Sequence, residues 1–247
     1  KHPEAPLLRD LDALMLSLRA AAEARLRVLR KEEKKHIHVP LKVKTSTPAD
    51  GVRECVPTPV DLRHIVEARD GQLLLIWGEG GAGKTSLAFE IAWWGLQGEL
   101  ADHAVLPFFL EPSGSPEHDP PLNQNIATHL SNLGDGTVSL EQVELLLRHR
   151  RLMLIVDHYS EFTDAQRRWV ENHLPPKSLV LLTSRLRDPF QTFNQSWTIT
   201  EIQPLKLKEQ ELFHFFTEYL NKRGAEEATE GESLLLSPDD HTHTRDL

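Results

Sequence analysis

The 247-residue chain lacks the features of a secreted or membrane-spanning protein. Cys55 is its single cysteine, so no disulfide can form within the chain, which favours a reducing compartment. No apolar run approaches the roughly 20 residues that a membrane-spanning helix needs. The first residues, KHPEAPLL, contain no signal-peptide core. We therefore expect a cytoplasmic protein with no membrane segment.

The chain also lacks an initial methionine and an excess of basic residues. It begins at Lys1, from which we expect a piece of a longer polypeptide. Its formal net charge is −9, whereas a dedicated nucleic-acid-binding protein is expected to carry a strongly basic face. This balance argues against nucleic acid as the main partner. The hydrophobic fraction of 39% and the charged fraction of 26% are ordinary for a globular protein with a substantial core.

Strand-like and helix-like segments alternate through most of the chain. Apolar residues spaced by threes and fours first predict one long helix over residues 6–35. Short apolar runs then predict strands over residues 73–77, 105–110, 152–156 and 179–183, and a fifth strand is predicted over residues 197–202. Helical patterns separate most of these runs, and this alternation is typical of a parallel sheet with helices on both faces. The sequence therefore predicts an α/β fold with a five-stranded, mainly parallel sheet between helices.

An amphipathic segment follows the last predicted strand. PLKLKEQELFHFFTEYLNKRG, residues 204–224, predicts a helix that ends at Gly224. The acidic and polar residues from Ala225 onward are either a loop or the start of a truncated helical region.

Residues 78–85 form the sequence GEGGAGKT, which fits the phosphate-binding pattern G-x-x-x-x-G-K-[ST] without a mismatch. A predicted strand precedes this P-loop and a predicted helix follows it, as the chemistry requires. Glycines let successive backbone N–H groups converge on phosphate oxygens, to which the helix N-terminus adds its positive end. We expect Lys84 to reach the β- and γ-phosphates and Thr85 to offer its hydroxyl to Mg²⁺. The predicted nucleotide-binding residues are Gly78, Glu79, Gly80, Gly81, Ala82, Gly83, Lys84, Thr85 and Ser86.

Acidic residues follow the third predicted strand. A P-loop needs a metal-orienting acid at the end of a neighbouring strand, and Asp157 directly follows the apolar run at residues 152–156. Thr85 and Asp157 are therefore the predicted metal-holding residues. Glu161 lies four residues after Asp157, and we expect it to polarise an attacking water.

The segment SLVLLTSRLRD, residues 178–188, gives another strand that ends in polar residues. Ligands bind at the carboxyl ends of parallel strands, so we expect Thr183, Ser184 and Arg185 to emerge at the same sheet edge as the P-loop. There Arg185 is predicted to read the γ-phosphate or its absence. Glu161 and Arg185 are therefore the predicted catalytic residues.

Four motifs in this order resemble the NACHT type of the STAND-class P-loop ATPases. They are GEGGAGKTSLAFEIA, LMLIVDHYSE, LVLLTSR and IQPLKLKEQELFHFF, and together with the preceding HIHVPLKV the resemblance covers about residues 36–222. It implies a nucleotide-binding domain at residues 36–203. We expect an N-terminal helical segment at residues 1–35 and, at residues 204–247, the start of a helical subdomain with a polar tail.

The resemblance also implies a function. Such a domain is an ATP/ADP switch that uses Mg²⁺ and lies between sensor and effector domains, here outside this chain. ATP binding permits self-association through the nucleotide-binding domain, and immune and antiviral signalling are typical settings. NACHT proteins usually carry two acids shortly after the metal-binding Asp, but here Ser160 takes the first position and only Glu161 remains. This departure bears on hydrolysis more than on binding, so we expect weak ATPase activity.

Two other functions fit a P-loop protein of this class. A mechanical ATPase of the AAA+ kind, acting on protein or nucleic acid, would show fast turnover that its substrate stimulates. A small-molecule kinase would need an acceptor pocket and an arginine-bearing lid, for which Arg185 and Arg187 give thin support. The choice between adenine and guanine also stays open at this point.

Overall fold

The computed structural model describes residues 5–32, 38–48, 51–68, 70–134, 136–187 and 197–235. These ranges contain seven α-helices and seven strands, with short 3-10 turns at Pro116–His118 and Tyr159–Glu161. The helices are α1 (Ala5–Glu32), α2 (Pro59–Glu67), α3 (Lys84–Gln97), α4 (Leu122–Leu133), α5 (Leu140–Arg148), α6 (Asp164–His173) and α7 (Glu209–Leu235). The strands are β1 (Val43–Thr47), β2 (Gly51–Cys55), β3 (Gly71–Trp77), β4 (Leu106–Phe109), β5 (Leu152–Val156), β6 (Leu179–Ser184) and β7 (Trp197–Pro204).

One mixed sheet holds all the described strands, in the order β2-β1-β7-β3-β6-β5-β4. Strands β3 to β7 run parallel, whereas β1 runs antiparallel to both β2 and β7. In the centre of the sheet Leu75 of β3 lies opposite Leu182 of β6, and Ile155 of β5 lies opposite Leu181. The five predicted strands correspond to these five parallel strands. The predicted α/β fold with a mainly parallel sheet is thus confirmed.

The predicted number of strands is wrong, because the sheet has seven strands rather than five. The two additional strands, β1 and β2, form an antiparallel hairpin at one edge of the sheet. Their sequences, VKTST and GVREC, are short and polar, and β2 is exposed at its first four positions. An edge hairpin with so little buried surface gives no apolar run, so the pattern that found the other strands does not find it.

The central strands are buried on both faces. Every residue of β5 and β6 is buried, and in β3 only Trp77 is partly exposed. Continuous burial of this kind requires helices on both faces of a parallel sheet, since one open face would expose alternate residues. Helix α3 packs on β4 and β6, α2 on β3, and α5 on β5.

Helices α5 and α6 each begin with a capping box that is visible in the sequence. Ser139 and Gln142 form a capping box at the start of α5, and Thr163 and Gln166 form another at the start of α6. In each box the hydroxyl accepts from a backbone N–H of the first turn, and the Gln side chain accepts from the backbone of the capping residue. Such a cap stabilises a helix end by about 1 kcal/mol.

Helix α1 packs against α3, α4 and α5 with one apolar stripe. Leu11, Leu18 and Leu26 of this stripe are each exposed by 3% or less. Near the end of α1 the Arg30 guanidinium lies 3.2 Å from the Glu90 carboxylate of α3, and both side chains are mostly buried. The N-terminal helix is therefore held by packing and by this ion pair against α3, the helix that begins with the P-loop lysine. Residues 33–35, the predicted end of this helix, lie outside the described ranges.

Helix α7 runs from Glu209 to Leu235, so the predicted end at Gly224 is wrong. A glycine inside a helix costs about 1 kcal/mol relative to alanine. A single cost of this size does not end a helix. The next residues, AEEATEGE, are mostly good helix formers, and they continue the helix through Gly224. Of the two readings for the segment after Ala225, the helical one therefore holds as far as Leu235.

The residue contacts divide the chain into two compact units. The first comprises Lys1–His36 and Pro40–Lys206 and includes the whole sheet, and the second comprises Ile37–Val39 and Leu207–Leu247. Within the second unit the Lys222 ammonium donates to the carbonyl of His38 at 2.7 Å. None of the helices within the described ranges has the length and apolar content to cross a bilayer.

Candidate functional site

The P-loop lies between the end of β3 and the start of α3. Gly81 and Gly83 of this turn have φ values of 77° and 85°, which is the left-handed region that glycine adopts without steric cost. Gly83 is also the residue that precedes the first turn of α3, and Ser86 lies within that turn. The backbone therefore curls directly in front of a helix N-terminus, an arrangement that suits an anion.

The Lys84 side chain folds back over this turn. Its Nζ donates to the carbonyl of Gly78 at 2.9 Å and to the carbonyl of Glu79 at 2.8 Å. Burial, and then the nearby positive charge of Arg185, lower the pKa of Lys84. The Glu79 carboxylate points away to Lys206, at 3.0 Å, where both side chains are exposed. A phosphate in the turn would give the lysine a charged partner in place of two carbonyls, and charge-assisted hydrogen bonds are the stronger kind.

The Thr85 hydroxyl and the Asp157 carboxylate meet at this edge of the sheet. Thr85 Oγ1 donates to Asp157 Oδ1 at 3.2 Å, and the two side chains are mostly buried. The strands that position them are predicted to be direct neighbours. This prediction is wrong, because β6 lies between β3 and β5. Hydroxyl and carboxylate oxygens are the ligands that Mg²⁺ prefers.

Thr183 lies near the end of β6, the strand between β3 and β5. Its hydroxyl donates to Asp157 Oδ1 and accepts the backbone N–H of His158 at 2.9 Å. The residue is fully buried, with 0% exposure. The sequence placed Thr183 at this edge but gave it no role, since a threonine that ends an apolar strand carries no motif.

Glu161 and Arg185 form an ion pair beside the P-loop. Arg185 Nη2 lies 2.7 Å from Glu161 Oε1, and both side chains are about half exposed, so solvent screens the pair. The backbone N–H of Arg185 donates to Ser160 Oγ at 3.1 Å. Ser160 therefore holds the arginine segment at the position where an acid was expected from the resemblance.

His158 is the other residue that the sequence analysis did not identify. Its ring nitrogen Nε2 lies 3.3 Å from Asp157 Oδ2 and 3.5 Å from Thr85 Oγ1. Its backbone has a positive φ of 55°, a conformation that the sequence does not reveal for a histidine. A side-chain nitrogen therefore lies beside the two oxygen groups that are candidates for holding a metal.

Most of these side chains, though not that of Asp157, line a cavity of about 170 Å³. That volume is below the 300 Å³ or more of a typical site for a whole small molecule, but it exceeds the roughly 30 Å³ of a water molecule several times. It therefore suits a phosphate tail whose base and sugar lie outside. The lining residues are Gly80, Gly81, Gly83, Lys84, Thr85, His158, Ser160, Glu161, Thr183, Ser184 and Arg185.

In the described part of the chain, no three His, Cys, Asp or Glu residues are placed to hold a metal ion by themselves. A divalent ion at Thr85 and Asp157 would thus need further ligands from phosphate oxygens and water, which is the usual situation for Mg²⁺ beside a nucleotide.

A larger cavity of about 910 Å³ lies at the opposite edge of the sheet, among the loops that precede β5 and β6. It contains none of the P-loop residues. The buried Arg150 guanidinium there donates to the carbonyls of Ser178 and Asp70, so it stabilises the backbone of these loops. Because ligands of parallel α/β sheets bind at the carboxyl ends of the strands, we place the candidate site at the smaller cavity.

Comparison with known proteins gives one result that agrees with this geometry. The family model of the NACHT domain matches residues 72–223, which is more than half of the chain. The match begins in β3, ends in α7 and includes the P-loop, Asp157, Glu161 and Arg185. A search of the curated proteins finds no relative that matches. On the family match, the chain belongs to the NACHT family, whose members are nucleoside triphosphatases of the STAND class.

Proposed function

We propose that this chain is the ATP/ADP-binding switch of a STAND signalling protein and that it hydrolyses ATP slowly. The observation that carries the proposal is the meeting of the Thr85 hydroxyl and the Asp157 carboxylate beneath the P-loop, with Lys84 and Arg185 lining the same cavity. The Thr85 hydroxyl and two cations line one phosphate-sized space, and the Asp157 carboxylate contacts that hydroxyl. This set suits a magnesium-bound triphosphate tail.

Each predicted site residue then has a role. The backbone of residues 78–86 holds the phosphates, and Lys84 contacts the β- and γ-phosphates. Thr85 and Asp157 hold Mg²⁺, which neutralises phosphate charge when it is bound. We assign the distinction between ATP and ADP to Arg185, because it lines the same cavity as Lys84 and Thr85.

The contacts available are sufficient in number for a switch. Moving a two-state equilibrium from 1:99 to 99:1 requires about 5.5 kcal/mol of differential binding. One hydrogen bond to a charged group contributes about 1.5–3 kcal/mol. Arg185 is 61% exposed, so its contact with the γ-phosphate lies at the low end of that range. Lys84 and the metal held by Thr85 and Asp157 therefore supply most of the difference.

The arrangement of the acids supports slow hydrolysis. Glu161 has to orient a water to assist attack on the γ-phosphate, yet its Oε1 is paired with Arg185. Ser160, which accepts from the backbone of Arg185, provides no second carboxylate. ATP would therefore persist after binding, which suits a switch better than a motor or a kinase.

The family supports the wider part of the proposal. In a STAND protein of this kind, the ATP-bound nucleotide domain self-associates, and sensor and effector domains lie elsewhere in the polypeptide. Immune or antiviral defence in the cytoplasm is the setting that we propose.

Isothermal titration calorimetry of the purified chain with Mg²⁺ and either ATP or ADP tests the proposal. We expect both nucleotides to bind and Lys84→Ala to weaken binding by tenfold or more, about 1.4 kcal/mol. Lys177→Ala removes an exposed lysine at the opposite edge of the sheet and serves as the matched control, with unchanged affinity. A folded chain that binds neither nucleotide would refute the proposed function.

A further inference from the structure

The backbone at His158 is unusual for a residue with a side chain. Its φ of 55° and ψ of 30° lie in the left-handed region, and Arg150 is the one other non-glycine residue of the described chain with a positive φ. Glycine occupies this region without the clash that a Cβ introduces. The N–H of His158 donates to Thr183 Oγ1 at 2.9 Å, which holds the backbone in place. The backbone is therefore held, at a steric cost, in a conformation from which the imidazole reaches Asp157.

The side-chain nitrogen completes a set of three possible metal ligands. Thr85 Oγ1 lies 3.2 Å from Asp157 Oδ1, and His158 Nε2 lies 3.3 Å from Asp157 Oδ2 and 3.5 Å from Thr85 Oγ1. Ligands about 2.1 Å from one ion and at right angles to each other are about 3 Å apart. The hydroxyl, the imidazole and the carboxylate, which faces Thr85 with Oδ1 and His158 with Oδ2, are thus close enough together to contact one ion.

We propose that His158 supplies a nitrogen ligand to the divalent ion of this site, and that the site consequently favours Mn²⁺ over Mg²⁺ more than an all-oxygen site does. The inference rests on the proposed nucleotide-binding function. Mg²⁺ takes oxygen ligands and dehydrates reluctantly, whereas Mn²⁺, which also binds oxygen, is a transition-metal ion and accepts an imidazole nitrogen more readily than Mg²⁺ does. The remaining ligands are phosphate oxygens and water, as expected where the described residues offer no metal cluster of their own.

The other side of the imidazole fits this assignment. His158 Nδ1 lies 3.7 Å from Glu161 Oε1, the carboxylate that also contacts Arg185. Metal-binding histidines usually donate their second ring N–H to a carboxylate, which fixes the ring and selects the nitrogen that faces the metal. A small movement of Glu161 toward the ring would make that hydrogen bond, with Nε2 left to bind the ion.

Pulsed electron paramagnetic resonance of the chain with Mn²⁺ and ADP tests the inference directly, because it detects a nitrogen nucleus bound to Mn²⁺. We expect nitrogen coupling in the unchanged chain and its loss in His158→Gly, whose glycine suits the positive φ. His158→Asn is a second variant that tolerates this backbone and removes the imidazole. His118→Asn changes an exposed histidine away from the site and should keep the coupling.

Competition of the two metals gives a second measurement. We expect the ratio of ADP affinities with Mn²⁺ and with Mg²⁺ to fall by about tenfold in His158→Gly, which corresponds to about 1.4 kcal/mol. If Mn²⁺ and ADP bind without nitrogen coupling, or if the coupling survives in His158→Gly, the nitrogen ligand is refuted while nucleotide binding stands. If the folded chain binds ADP with neither metal, the proposed function itself fails.

Discussion

Replacement of Thr183 by valine should separate the metal-holding arrangement from the rest of the fold. Thr183 is fully buried on β6, and its hydroxyl joins Asp157 to the backbone N–H of His158. Valine has nearly the same shape but has no hydroxyl. The change therefore leaves the sheet in place and removes one donor from the carboxylate that we propose for Mg²⁺.

The size of the effect follows from these contacts. A hydrogen bond to a charged group contributes about 1.5–3 kcal/mol, and its loss destabilises the folded state by that amount. The His158 backbone N–H, whose hydrogen bond to Thr183 is partly buried, loses its acceptor as well, which adds about 1–3 kcal/mol. The added methyl group of valine offsets about 0.8 kcal/mol. We therefore expect the free energy of unfolding to fall by about 2–5 kcal/mol.

A second buried threonine provides the control. Thr200 on β7 is 3% exposed, and its hydroxyl makes no hydrogen bond within the described residues. Thr200→Val should thus leave the free energy of unfolding unchanged or raise it by up to about 1 kcal/mol. Urea denaturation, followed by circular dichroism, measures both variants.

Calorimetry then distinguishes metal positioning from general stability. In Thr183→Val the ADP affinity measured with Mg²⁺ should fall by about tenfold, while the affinity measured without Mg²⁺ should change little. Thr200→Val should change neither. Equal stability and equal Mg²⁺ dependence in the two variants would show that Thr183 does not position Asp157.

Two further predictions concern catalysis and pH. Glu161→Gln should keep the nucleotide affinity and slow ATP hydrolysis, because the amide cannot accept a proton from the attacking water. Phosphate release measures the hydrolysis rate, and Glu117→Gln is the exposed-site control. Equal turnover in the two variants would show that Glu161 is not catalytic. Burial, and then the charge of Arg25, lower the pKa of His129 below its ordinary value of 6.5. The neutral histidine therefore favours the folded state above pH 6.5, and this stability is lost as the pH falls through the lowered pKa. Urea denaturation should therefore show a smaller loss of stability between about pH 7.5 and about pH 5.5 in His129→Leu than in the unchanged chain or in the exposed-site control His118→Leu; the same loss in all three would contradict the assignment.

The sequence predicted the elements that carry strong, local patterns. Three of the five parallel strands, β3, β5 and β6, contain continuous apolar runs, which are short enough to favour a buried strand over a helix. The P-loop is recognisable because its glycines and its lysine occupy fixed positions around one turn. Asp157 could be found because it directly follows such a strand at the carboxyl end.

The remaining features depend on contacts between distant segments. The edge hairpin of β1 and β2 has no apolar run, because much of its surface faces solvent. Thr183 links Asp157 to His158 only because β6 lies between β3 and β5, and strand order is a property of the whole sheet. The approach of His158 to Thr85 requires the same order, together with a backbone conformation that is rare for histidine.

The polar groups of the site already have partners within the chain, and this has a consequence for specificity. Lys84 donates to two carbonyls, and Arg185 is paired with Glu161. A phosphate that binds here exchanges these contacts for stronger ones, so the net affinity is the difference between the two sets. The contact of Arg185 with the γ-phosphate competes with its pair to Glu161, so the carboxylate orients a water only while that pair is open. Recognition of ATP and its slow removal would then share one ion pair, whereas ADP would leave that pair intact.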